Sequence, residues 1–155
     1  MRKSAYLAVA SFIVGFLVAA MLYSGEVRHA FSLDSARLEG PSDHIETSDL
    51  KVFKDKAVIE KENLQWARIL DTHSMEPVLN SNSISLELLP HLPSDIELGD
   101  IISYKAGSIV IIHRVVEIGN DGQWYAITKG DNNKEIDPDK VRFEQIKGVV
   151  VGVLY

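Results

Sequence analysis

The strongest constraint in this chain is a run of 19 uncharged residues, Ala5 to Tyr23, reading AYLAVASFIVGFLVAAMLY. A helix rises about 1.5 Å per residue, so the run spans about 28 Å, close to the roughly 30 Å hydrocarbon core of a bilayer. It is apolar on every face, unlike a helix lying on a soluble core. Tyr6 and Tyr23 lie near its ends, where aromatic rings favour the interface. Arg2 and Lys3 precede it and Glu26 follows. The positive-inside tendency then sets the N-terminus in the cytoplasm and the rest outside. The rival reading is a cleavable signal peptide. It fits less well, because the apolar core is longer than the usual h-region and the small pair Val18 and Ala20 lies inside it. The expectation is a single-pass cell-membrane protein, with residues 1–25 as cytoplasmic tip and uncleaved anchor.

Beyond the run the character changes. Residues 26–44 are mixed and polar, with Gly40-Pro41-Ser42-Asp43 as a breaker, and read as a spacer whose His29 and His44 are solvated. Residues 45–155 read as one domain. Leu50 to Phe53 and Ala57 to Ile59 flank Lys54-Asp55-Lys56 as a hairpin. Short strands follow over 65–70, 84–89, 100–104, 108–118, 124–129 and 149–155, rich in Val, Ile, Leu, Trp and Tyr and bounded by turn residues. Asn120-Asp121-Gly122 suits the positive φ angles of a tight turn and joins two of them. The predicted fold is mostly β: one antiparallel sheet or barrel-like domain preceded by a single transmembrane helix.

Charge and composition exclude several functions. Arg2 and Lys3 are the only two of the 16 basic residues before the spacer, and all 22 acidic residues follow, so the remainder carries −8. Nucleic acid as partner is disfavoured, since phosphate binding wants a basic face. With no cysteine there is no disulfide, thiolate nucleophile or cysteine metal site. The five histidines, His29, His44, His73, His91 and His113, show no metal-ligand spacing.

Three groups of residues carry chemistry, each at the edge of an apolar run: Ser74 within Asp71-Thr72-His73-Ser74-Met75-Glu76-Pro77; His113 within Ile111-Ile112-His113-Arg114-Val115; and Asp131 and Asp137, after Lys129-Gly130; Asp100, after Gly99, reads as a turn cap. A serine hydroxyl becomes a useful nucleophile when a base takes its proton. Histidine suits that task, given an acid on its second nitrogen to fix tautomer and orientation. Taken singly, each has a bland reading: a solvated loop serine, a core histidine, turn-capping aspartates, and Asn132-Asn133 holding a turn.

Together they resemble the boxes of the type I signal peptidases. Ser74-Met75-Glu76-Pro77 is similar to the Ser-Met-x-Pro box, and Gly99-Asp100 to the next. His113-Arg114-Val115 resembles the box of the archaeal and endoplasmic-reticulum branch, which has His where the bacterial branch has Lys. Lys129-Gly130-Asp131-Asn132-Asn133, with Asp137, resembles the last. The likeness runs from about Leu70 to Tyr155. It implies a membrane serine endopeptidase that removes signal peptides from exported preproteins after small residues. Its implied partners are preprotein signal peptides, the lipid bilayer and the protein-export translocon, with no metal or cofactor. Ser74 would be the nucleophile and His113 the general base. Asp137 or Asp131 would orient His113, an alternative the sequence leaves open. The Ser74 N–H and the Thr72 hydroxyl would form the oxyanion hole. Shallow apolar subsites are expected, in part from Ile84 to Leu89.

One departure matters: the family commonly has Gly before the nucleophile, and this chain has His73. As a neighbour of Ser74 it rivals His113 for the role of base, but adjacent residues of an extended segment point to opposite faces. Lys129 stands in the wrong box for a Ser-Lys mechanism. Two other functions compete. One is an inactive binding or scaffold protein on the same fold. The other is a self-cleaving regulator, for which a DNA-binding domain is missing.

Overall fold

The computed structural model describes residues 39–155. The expected cytoplasmic tip, membrane anchor and most of the spacer lie outside the described residues. Among the described residues, no helix is long and apolar enough to cross a membrane.

Strands dominate. β1 (Leu50–Val52) and β2 (Ala57–Ile59) form a two-stranded antiparallel ribbon around the Lys54-Asp55-Lys56 turn. Seven more strands make one antiparallel sheet: β3 (Leu64–Arg68), β4 (Ile84–Leu88), β5 (Ile101–Ala106), β6 (Ile109–Asn120), β7 (Trp124–Lys129), β8 (Val141–Arg142) and β9 (Ile146–Leu154). Their order across the sheet is β3-β4-β9-β5-β6-β7-β8, so β3 and β8 are the edges. The last strand in sequence therefore lies in the middle, between β4 and β5.

The residues explain this arrangement. Ile101-Ile102-Ser103-Tyr104 of β5 are all buried, because this central strand is covered on both faces. Alternate β5 residues feed two apolar clusters. Ile102 and Tyr104 join Val115, Ala126, Val141, Ile146 and Val149. Ile101 joins Val150 with Met75 and Leu79 from the long β3–β4 connection. The β6–β7 hairpin turns at Asn120-Asp121-Gly122, as its residues predict: Gly122 has φ +104° and the Asn120 Oδ1 accepts its N–H at 2.9 Å. Arg142 and then Lys140, at 2.8 and 2.6 Å, grip Asp121 and hold its carboxyl well below the usual range.

The folded unit reaches further toward the N-terminus than the expected start at residue 45. Ser42 donates to Asp100 Oδ1 through its N–H and its hydroxyl, at 2.8 and 2.7 Å. His44 Nε2 lies 3.1 Å from Asp100 Oδ2, which also accepts the Glu97 N–H at 2.9 Å. Asp100 is fully buried. It caps its own turn, as expected, and also tethers residues 42–44, so His44 is a partner of a buried carboxylate and not a solvated spacer residue. Gly99 makes the close packing possible. Its φ is +95°, and a Cβ there would lie 2.3 Å from the Gly40 carbonyl oxygen.

Asp100→Ala removes the acceptor for all of these donors. It is expected to lower stability in urea unfolding by about 1–3 kcal/mol and to open residues 39–44 to protease. An unchanged midpoint with unchanged cleavage would show that the tether is idle.

Candidate active site

The segment carrying Ser74 has no regular structure, yet it is pinned. Met75 and Leu79 are 3% and 1% exposed in the cluster with Ile101 and Val150. The Leu79 N–H donates to the Met75 carbonyl at 2.9 Å. Burial of these two side chains draws the loop onto the sheet and leaves Ser74 at its surface. From the other side, the Asn132 N–H donates to the Ser74 carbonyl at 2.9 Å, and Asn132 Nδ2 to the His73 carbonyl at 3.0 Å. Gly130 lets the segments meet: a Cβ there would lie 2.6 Å from the Ser74 carbonyl oxygen. The side-chain-to-backbone bonding expected of Asn132 is thus present, and it reaches across to the serine loop.

His113 lies on β6 and is 7% exposed. Its Nδ1 is 2.6 Å from Asp137 Oδ2. That oxygen also accepts the Thr128 hydroxyl at 2.6 Å and the Tyr104 phenol at 3.1 Å. The Asp137 N–H donates to the Thr128 carbonyl at 2.8 Å, which fixes the turn carrying the carboxylate. Burial pushes the Tyr104 phenol up to about 12, so it keeps its proton at neutral pH and donates the hydrogen bond. With Nδ1–H given to Asp137, the basic lone pair of a neutral His113 is on Nε2.

Asp131 is engaged elsewhere. Arg114 Nε and Nη2 meet its two carboxylate oxygens at 2.8 and 2.7 Å, in a bidentate pair with both side chains 8% exposed. Arg114 Nη1 also donates to the Gly99 carbonyl at 2.8 Å. The two acids that the sequence leaves unranked therefore divide: Asp137 meets His113, and Asp131 meets Arg114.

Ser74, Thr72 and His113 border one cavity of about 860 Å³. Its apolar walls come from β3 and its continuation on one side, with Trp66 and Leu70 exposed, and from the tip of the β5–β6 hairpin on the other, with Ile109 and Val110 exposed. The Thr72 and Ser74 hydroxyl oxygens are 3.1 Å apart. No hydrogen bond joins Ser74 to His113 in this conformation, and among the described residues the Ser74 N–H has no acceptor.

His73 is directed away from the base's role. Its Nδ1 is 2.8 Å from Glu76 Oε1 and its Nε2 is 3.5 Å from Asp71 Oδ1. The hydrogen bond and charge of Glu76, then the charge of Asp71, raise its pKa and favour imidazolium, which has no lone pair to offer. Its φ is +57°, in the left-handed region that glycine enters most readily. This is the backbone geometry that the Gly of the resembling box would adopt freely, and here the Asn132 and Glu76 bonds hold it.

The expectation for Ile84 to Leu89 needs correction. The inward residues of β4 are Ser85 and Glu87, which are polar, and Glu87 borders the cavity; Leu86 faces the other way. Sequence reasoning also passed over Tyr104, Thr128 and Arg114. For Arg114 a signal existed, since an arginine inside an apolar strand requires an acid partner. Tyr104 and Thr128 look like ordinary strand residues. A scan against protein-family models finds no matching family, and searches of curated proteins and of solved structures find no match.

Proposed function

We propose that this chain is a serine endopeptidase of the signal-peptidase type, cleaving exported preproteins after small residues outside the membrane. The observation that carries the reading is the 2.6 Å contact of His113 Nδ1 with Asp137, on the wall of the cavity that Ser74 also borders. Ser74 Oγ attacks the scissile carbonyl while His113 Nε2 takes its proton. Asp137 keeps the imidazole in the required tautomer and stabilises the imidazolium. His113 then protonates the leaving amine. The Ser74 N–H is the first oxyanion donor, in keeping with its lack of another acceptor, and the Thr72 hydroxyl the second. Tyr104 and Thr128 orient Asp137. The expected anchor at residues 5–23 would hold the site at the bilayer, where the signal peptide ends.

A second reading, a binding protein on the same architecture, has one observation in its favour: the Ser74 hydroxyl is paired with Thr72 and not with His113. One experiment separates the two. The full-length chain is expressed in membranes with a preprotein bearing a small-x-small site. Ser74→Ala and His113→Ala are each expected to lower the cleavage rate by at least about a thousandfold. Absence of cleavage by the unmodified chain, or normal cleavage by Ser74→Ala, would favour the binding protein.

The two aspartates give a further contrast. Asp131→Ala strands the buried Arg114 charge and is expected to destabilise by about 3–5 kcal/mol. Asp137→Asn should leave urea stability within about 1–2 kcal/mol of the parent while reducing cleavage far more, because it loses the tautomer control. The opposite ranking would reassign the acids.

A further inference from the structure

Glu87 is a buried carboxylate for which the proposed mechanism has no use. It is 2% exposed and lies on the inward face of β4. The Ser85 hydroxyl donates to its Oε1 and the Ser103 hydroxyl to its Oε2, each at 2.7 Å. Gly148 of β9 leaves room for it: a Cβ there would lie 2.6 Å from Glu87 Oε2. Glu87 and Ser103 border the same cavity as Ser74 and His113.

A carboxylate has roughly four acceptor positions, and the two serines fill one on each oxygen. Among the described residues no cation lies within ion-pairing distance of Glu87. Arg68, Lys147, His73 and His113 are the basic side chains around the cavity; His73 is held by Glu76 and Asp71, His113 by Asp137, and neither Arg68 nor Lys147 pairs with Glu87. A buried charge without a countercharge is unfavourable, and a ligand that brings one offsets the penalty. The other buried acid, Asp100, has His44 at 3.1 Å beside its neutral donors, and the partly buried Asp131 and Asp137 have Arg114 and His113.

We propose that Glu87 is a specificity-determining residue of this groove and takes a basic side chain, Lys or Arg, from an extended peptide. The statement rests on the reading of the groove as the peptide site and names a substrate class for it. An extended chain places successive residues about 3.3 Å apart, so a lysine at one position upstream of the cleaved bond reaches the carboxylate. The walls accept apolar and small side chains around it.

Binding tests this apart from cleavage. The full-length Ser74→Ala chain is titrated, by fluorescence anisotropy, with labelled peptides bearing a small-x-small site. A single Lys or its uncharged isostere norleucine is walked through the upstream positions. The expected result is one position at which Lys binds about tenfold or more tightly than norleucine. That preference should disappear in Ser74→Ala with Glu87→Gln, the Lys and norleucine peptides then binding alike. Lys no better than norleucine at every position overturns the proposal, and this result needs only the Ser74→Ala chain, so it stands even if the Glu87→Gln variant does not fold. A preference that survives Glu87→Gln overturns it equally. The unmodified chain is then given the tightest peptide. Lys-selective binding without cleavage defeats the peptidase reading and leaves Glu87 as the determinant; cleavage without Lys selectivity does the reverse.

Discussion

The arrangement depends on the buried ion pair between Arg114 and Asp131. Arg114 follows His113 on β6, and alternation along a strand sends the two side chains to opposite faces. Through Asp131 the arginine grips the turn after β7 with two parallel bonds, a geometry that fixes direction as well as distance. That turn carries Gly130 and Asn132, which meet the backbone of Ser74 and His73. A single strand thus orients the candidate base directly and the candidate nucleophile at one remove. An isolated Arg114 would be a buried charge with no outlet, so the turn is not free to drift while the sheet is intact.

The alternation also explains why two acids six residues apart do different things. One strand presents His113 to one side and Arg114 to the other, and each needs a carboxylate. Asp137 receives three donors on one oxygen, from His113, Thr128 and Tyr104. Those bonds fix the direction in which the carboxylate faces the imidazole, and Tyr104 and Thr128 hold it there.

Much of the fold was legible, because strand identity resides in local pattern. β7 is found at its predicted limits, and the two hairpins stand where their turn residues placed them. Sheet order was not legible: nothing local in Val149 to Tyr155 says that this strand lies between β4 and β5. The start of the folded unit was missed because the tether is a tertiary bond, from Ser42 and His44 to an aspartate more than fifty residues away. At the site, Ser74 and His113, which the order of the residues singled out, border one cavity. The pairing of acids and the polar face of β4 depend on which strands are neighbours, and that information is absent from any one segment. His73 is instructive in another way. As a residue type it looked like an obstacle beside the serine, whereas its left-handed backbone reveals what the position demands.

The floor of the groove raises a question of stability. A buried carboxylate held by two hydroxyls is seldom the most stable way to fill such a space; an apolar side chain of similar volume is often as good or better. Ser85, Glu87, Ser103 and Gly148 nevertheless come together from three adjacent strands, each suited to the others: two donors, one acceptor, and a glycine that leaves the gap. A polar cluster on the core face makes most physical sense where it has something to meet, and this one lies on the wall of the cavity that holds the candidate nucleophile. On the proposed reading, the apolar walls give affinity with little discrimination among extended chains, and the carboxylate beneath them gives the discrimination, favouring a basic side chain and opposing an acidic one at the same place.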